Sequence, residues 1–127
     1  MRLGSGAFEG AYNYRSRMED SEPGTNPEEL LGAAHAGCFS MSLARRLSAE
    51  GYSPERIHTE ARVRLGRAGE GYAISLIDLR TEAEVPGVEE GLFLKKAEDA
   101  KRDCAVSKAL AGVQEINLEA KLVERAR

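Results

Sequence analysis

Leu30-Leu31-Gly32-Ala33-Ala34-His35-Ala36-Gly37-Cys38-Phe39-Ser40-Met41 decides the fold, because it sits inside a well-signalled helix and has no polar face. Just upstream, Asn26 is a good N-cap, Pro27 suits the first helical position and Glu29 can close a capping box. Nothing then interrupts a helix until Gly51, which suits a C-terminal cap. A helix without a polar face must be enclosed on nearly all sides. We therefore expect this segment at the centre of the fold, with Cys38 halfway along it. Its small residues, Gly32, Ala33, Ala34, Ala36 and Gly37, would let neighbours approach the helix backbone closely.

Working outward toward the N-terminus, Ser16–Gly24 is acidic, contains Pro23-Gly24 and reads as a loop. Before it, Phe8, Gly10, Tyr12 and Tyr14 alternate with polar positions, the pattern of a strand. On the other side, Ile57, Thr59, Ala61, Val63 and Leu65 alternate with His58, Glu60, Arg62 and Arg64, which predicts a strand with one wet face. Gly66–Gly71 is a turn, and Tyr72–Val85 a second strand whose apolar parity shifts between Leu76 and Ile77, the mark of a bulge. After Pro86-Gly87, the spacing of Phe93, Ala97, Ala100 and Cys104 predicts a second helix with an apolar stripe, continuing with a kink to Gly112. Ile116, Leu118, Ala120 and Leu122 form a last alternating strand. The order β, α, β, β, α, β predicts a single α+β domain over residues 1–127 with a mostly antiparallel sheet.

At 127 residues the chain fits one domain. Its net charge of −3 gives no reason to expect nucleic acid or acidic membranes as partners. The longest run free of Asp, Glu, Lys and Arg is Leu30–Ala44, short of the roughly 20 apolar residues that span a bilayer. No secretory signal pattern opens the chain, so a cytoplasmic location is expected. There are two cysteines, Cys38 and Cys104. A small secreted domain stapled by disulfides usually carries more. In a cytosolic chain, two thiols leave three readings open: redox work, a metal site, or two buried small hydrophobes. Both fall on faces expected to be buried, and two helices packed through those faces could bring them together; periodicity alone does not decide it.

The local sequence does more. Thr25-Asn26-Pro27-Glu28-Glu29-Leu30-Leu31-Gly32-Ala33-Ala34-His35-Ala36-Gly37-Cys38-Phe39-Ser40-Met41 closely resembles the signature of the osmotically inducible protein C (OsmC) family, relatives of the organic hydroperoxide resistance proteins. Cys104-Ala105-Val106-Ser107-Lys108-Ala109-Leu110 resembles that family's second cysteine motif. The likeness runs from Gly6 to Val123. It implies an intertwined homodimer with two central helices, and a peroxidase that attacks an organic hydroperoxide with Cys38 and forms a disulfide with Cys104. It also implies an active-site arginine at the end of the first aromatic strand and a glutamate two residues into the long helix. The glutamate maps onto Glu28. The arginine maps best onto Arg17, with Arg15, on the same strand face, as second choice. Two departures stand out. Ala105 replaces the family's usual proline after the second cysteine, which would leave Cys104 slightly more mobile. The family's chains also typically begin with a further strand before the point where Met1 stands, so that strand is expected to be missing here and a sheet edge left unpaired.

The chemistry explains the residue types. Only a thiolate attacks a peroxide oxygen, and thiols in apolar surroundings ionise less readily. A mid-helix position gains little from the helix dipole, so a nearby cation is required, and an always-charged guanidinium suits the task. Arg17 could also donate to the departing oxygen, while Glu28 holds its fork by a bidentate pair. Attack leaves a sulfenic acid, which the second thiol condenses to a disulfide. An external dithiol must then restore both thiols; the resemblance suggests lipoyl groups. No metal or organic cofactor is needed.

Blander readings stand beside these. Taken alone, Arg17 and Glu28 suit surface ion pairing and helix N-terminal charge, and Glu29 suits capping. His35, one turn before Cys38, could be a general base or a metal ligand. One His-x-x-Cys pair is a weak metal signal, since structural zinc sites need four ligands, and we read His35 as a packed core histidine. Phe39 and Met41 read as core. Two rivals to the peroxidase remain: a non-catalytic ligand- or partner-binding member of the same fold, and a redox sensor whose disulfide signals to a partner. The presence of both cysteines, the arginine and the glutamate argues against the first.

Overall fold

Alternation governs the sheet. In the computed structural model, which describes residues 1–124, β1 (Arg56–Ala68) and β2 (Gly71–Glu84) form a long antiparallel hairpin closed at Gly69-Glu70. One face is charged, and its cross-strand neighbours are complementary: Glu60 opposite Arg80 and Arg62 opposite Asp78. The register shifts where Ser75 is left without a partner between the Arg64–Leu76 and Leu65–Ile74 pairs. The bulge expected from the parity change is therefore present, one residue earlier in the strand. It lets Ile77, Leu79, Thr81 and Ala83 all point inward.

The central helix, α2 (Pro27–Ala49), follows a short α1 (Tyr14–Met18), and α3 (Glu90–Asp103) is followed by α4 (Ala105–Ala109). Of the four helices among the described residues, α2 and α3 pack against the sheet. Asn26 caps α2 as expected, its side chain accepting the Glu29 N–H at 2.7 Å. At the other end Gly51 takes φ +90°, and Gly51 and Tyr52 donate back to the Ser48 and Leu47 carbonyls. Phe39, Leu43 and Leu47 of α2, Ile77, Leu79 and Ala83 of β2, and Phe93, Ala97 and Ala100 of α3 make the core. Phe39 is fully buried there. Phe39→Ala is expected to cost about 3–5 kcal/mol, read as a lower urea midpoint with an unchanged slope. Among the described residues no helix is long and apolar enough to cross a membrane.

Three expectations need correction. The last strand, β3 (Glu115–Leu122), pairs with β2 in parallel, so the three-stranded sheet is mixed, in the order β1-β2-β3. The physical reason is the connection: α3 and α4 carry the chain back along the sheet before β3 begins, as a parallel pair requires. The aromatic segment before Ser16 is not a strand. It makes isolated pairings, Arg2 with Glu9 and Tyr12 with Thr25, and then turns into α1. Asn13 and Ser16 close a capping box, each side chain accepting the other's backbone N–H at 2.8 Å. Local capping overrides a period-two pattern that has no neighbouring strand to pair with. Finally, α2 is not enclosed within one chain. Gly32 meets β1 closely, its missing Cβ leaving room for the Ala61 carbonyl and Val63. On the opposite side Ala33, Ala34 and Gly37 are exposed, and Met41 is 76% exposed.

Candidate active site

The break between α3 and α4 positions Cys104. Asp103, the last residue of α3, is held by the Arg102 guanidinium and by Arg46 of α2 at 3.2 Å. Arg102 holds the Asp103 carboxyl below the usual carboxylate range. Cys104 then adopts an extended conformation, ψ 146°, and caps α4: its Sγ accepts the Ser107 N–H at 3.4 Å. Ala105 thus opens a new helical turn without the help of a proline. Cys104 is buried, and its Sγ lies 3.1 Å from the Ser107 hydroxyl. That hydroxyl is in turn 2.7 Å from Nε2 of His35, on the buried face of α2.

Cys38 lies one helical turn beyond His35 and is half-buried; both thiols are free. Two residues further on, Ser40 anchors α2 to the sheet by donating to Thr59 at 2.6 Å. Ser40 and the fully buried Phe39 thus tie this part of α2 to the sheet and core, while the helix face of Cys38 borders the exposed Gly37 and Met41.

Arg17 and Glu28 form a second cluster. Arg17 Nε donates to both Glu28 carboxylate oxygens, at 2.9 and 3.2 Å, and its Nη2 donates to Oε1. Glu28 is buried, whereas the Arg17 side chain is 34% exposed, so the guanidinium keeps one open edge. Hydrogen bonding to Glu28 raises the Arg17 pKa further above its ordinary value. Arg15 does not compete for this partner. Two residues apart on α1, the arginines point to different sides by roughly 200°, not to one strand face. Arg15 turns to Glu19 and Glu22 at 3.4 and 3.5 Å in solvent.

These clusters do not meet in one chain. Glu28 and Cys38 stand on the same unbroken helix, ten positions and so about 15 Å apart along its axis. The geometry joins Arg17 to Glu28, and Cys104 through Ser107 to His35. It does not join Glu28 to Cys38. Ser107 had no assigned role in the sequence; its signal was its place three residues after Cys104, where a capping side chain meets the backbone.

A family profile described as OsmC-like protein matches residues 19–119, which is most of the chain and includes Glu28 and both cysteines. The chain belongs to the OsmC-like family. Among curated proteins, it is 44% identical over 111 residues to Peroxiredoxin OsmC of Escherichia coli, covering 87% of this chain and 76% of that protein. Solved structures share the fold. An OsmC-like protein of unknown function from Vibrio cholerae superimposes with a TM-score of 0.77 at 17% identity, over 94% of this chain and 80% of that one. An organic hydroperoxide resistance protein from Legionella pneumophila gives 0.70 at 18% identity, over 95% and 85%. The OsmC-like fold accordingly accounts for the α+β architecture with its helices against a mixed sheet.

Proposed function

We propose that this OsmC-like protein is a thiol peroxidase that reduces organic hydroperoxides to alcohols. The observation that carries the proposal is the placement of two free thiols against one helix. Cys38 sits on α2, and Cys104 is tied through Ser107 to His35, one turn away on the same helix. The 44% identity to Peroxiredoxin OsmC over most of both chains supports the same reading. In the mechanism, the Cys38 thiolate attacks the distal peroxide oxygen and the O–O bond breaks, releasing the alcohol. Cys38 is left as a sulfenic acid. Cys104 then attacks the Cys38 sulfur, expelling water and forming the disulfide. A dithiol, such as a lipoyl group, returns both cysteines to thiols. A cycle that must return both cysteines to thiols after each turnover suits a reducing compartment such as the cytoplasm.

The complete site is shared between two chains. Glu28 lies ten positions, about 15 Å, before its own Cys38 along α2, so it and the Arg17 bonded to it serve the partner's Cys38. Two copies of α2 crossing antiparallel about a twofold axis would bring this about. Such a crossing also covers the face of Ala33, Ala34, Gly37 and Met41 that a single chain leaves open. There the guanidinium's open edge would stabilise the attacking thiolate and the departing oxygen.

Steady-state peroxide consumption with an added dithiol tests the proposal. Cumene hydroperoxide is expected to give a kcat/KM at least about tenfold above that of hydrogen peroxide. Met41, one turn beyond Cys38, and the half-buried Leu30 and Leu31 offer apolar surface to a tail, worth about 0.8 kcal/mol per CH₂ buried. Equal values would contradict an apolar pocket. Oxidation without turnover would favour the sensor, and no consumption at all the non-catalytic binder.

A further inference from the structure

We propose that His35 and Ser107 form a proton relay for Cys104, a role that rests on the peroxidase reading and extends it to the resolving step. Three observations converge on it. First, the chain of contacts is continuous: Cys104 Sγ to Ser107 Oγ at 3.1 Å, and Ser107 Oγ to His35 Nε2 at 2.7 Å. Second, His35 is fully buried at 0% exposure, while its Nδ1 has no hydrogen-bond partner among the described residues. Third, the two ends come from elements far apart in the chain, α2 and the α3–α4 break, which packing brings together beside the second thiol.

Burial holds the His35 pKa below its ordinary value, so the imidazole rests neutral with a proton on one nitrogen only. With that proton on Nδ1, Nε2 accepts the Ser107 O–H and Ser107 Oγ accepts the Cys104 S–H. A double shift moves the thiol proton to Ser107 and the Ser107 proton to His35. It leaves a Cys104 thiolate that accepts from both the Ser107 hydroxyl and the Ser107 N–H. The thiolate attacks the Cys38 sulfur: the S–S bond forms, the S–O bond breaks, and the hydroxide released takes up the proton held on His35 and departs as water. The sum is Cys38–SOH plus Cys104–SH giving the disulfide and water, with no outside oxidant. When a dithiol later reopens the disulfide, the relay runs backward and returns a proton to the Cys104 thiolate. Ser107 touches the reacting sulfur, and His35, one step behind it, holds the proton until the leaving hydroxide takes it up.

The relay is selective for the second step, and single-turnover kinetics read the two steps apart. The full-length protein is mixed with one equivalent of cumene hydroperoxide, quenched at intervals, and its sulfenic acid and disulfide quantified by mass spectrometry. Ser107→Ala and His35→Gln should form the sulfenic acid within about twofold of the wild-type rate. Both should close the disulfide about 10²-fold more slowly, the scale of a lost acid–base group. Ser107→Thr, which keeps the hydroxyl, should restore disulfide closure to within about threefold. Disulfide closure in Ser107→Ala at the wild-type rate would overturn the relay, as would Ser107→Thr being as slow as Ser107→Ala. If His35→Gln does not fold, judged by circular dichroism, the two Ser107 variants decide alone. Wild-type protein that forms sulfenic acid but no Cys38–Cys104 disulfide would instead sink the resolving role of Cys104, and the relay with it.

Discussion

Cys38→Ser is expected to lose peroxide reduction by about 10⁴-fold or more, the scale seen when a covalent nucleophile is removed. A serine hydroxyl is not ionised near neutral pH, and oxygen has no counterpart to the sulfenic acid on which the second step depends. Cys104→Ser should behave differently. Its first equivalent of peroxide should react at the wild-type rate, because Cys38 and its surroundings on α2 are untouched. The reaction should then stall, with Cys38 as a sulfenic acid that excess peroxide drives to the sulfinic and sulfonic states. Mass spectrometry after one equivalent of peroxide distinguishes the three proteins: a Cys38–Cys104 disulfide in the wild type, one added oxygen in Cys104→Ser, and no change in Cys38→Ser. Normal turnover by Cys104→Ser would show that another thiol resolves the intermediate.

The second large effect is a recovery of activity from two inactive proteins. Cys38→Ser lacks the nucleophile. Glu28→Ala frees the Arg17 guanidinium from the carboxylate that fixes it, at an expected cost of about 10²-fold. Mixed and allowed to exchange subunits, the two variants form heterodimers. If the Arg17–Glu28 pair of one chain serves the Cys38 of the other, each heterodimer has one intact site and one doubly impaired site. Equal mixing should then return about a quarter of wild-type activity. If each chain builds its own site, every site in the mixture still lacks one group and activity stays at the level of the separate variants. The unbroken course of α2 from Pro27 to Ala49 makes the first outcome the expected one, since no bend at Gly32 folds Glu28 back toward Cys38.

Much of the architecture was legible because it is written locally. The caps at Asn26 and Gly51, the alternation of β1 and the apolar stripe of α3 each depend on residues within a few turns or steps of one another. The bulge near Leu76 was legible for the same reason, as a break in parity along a single strand. The candidate site was legible as residue types, Cys38, Cys104, Arg17 and Glu28, but not as an arrangement. The α1 helix was misread because an alternating aromatic segment becomes a strand only if another strand pairs with it, while the Asn13–Ser16 capping box needs no partner.

The sequence by itself determined the central helix, the hairpin, the two cysteine positions and the family to which they belong. Tertiary structure decided which groups meet. Arg17 rather than Arg15 faces Glu28 because α1 turns the two arginines to different sides. Strand β3 runs parallel to β2 because of where α3 and α4 deliver the chain. His35 reaches Ser107, 72 positions away in sequence, and through it the second cysteine, because α2 packs against the α3–α4 break. Helix periods and caps arise from interactions between near neighbours, which a sequence displays directly. Contacts across such distances exist only once the core has closed around Phe39 and Phe93 and brought the elements together.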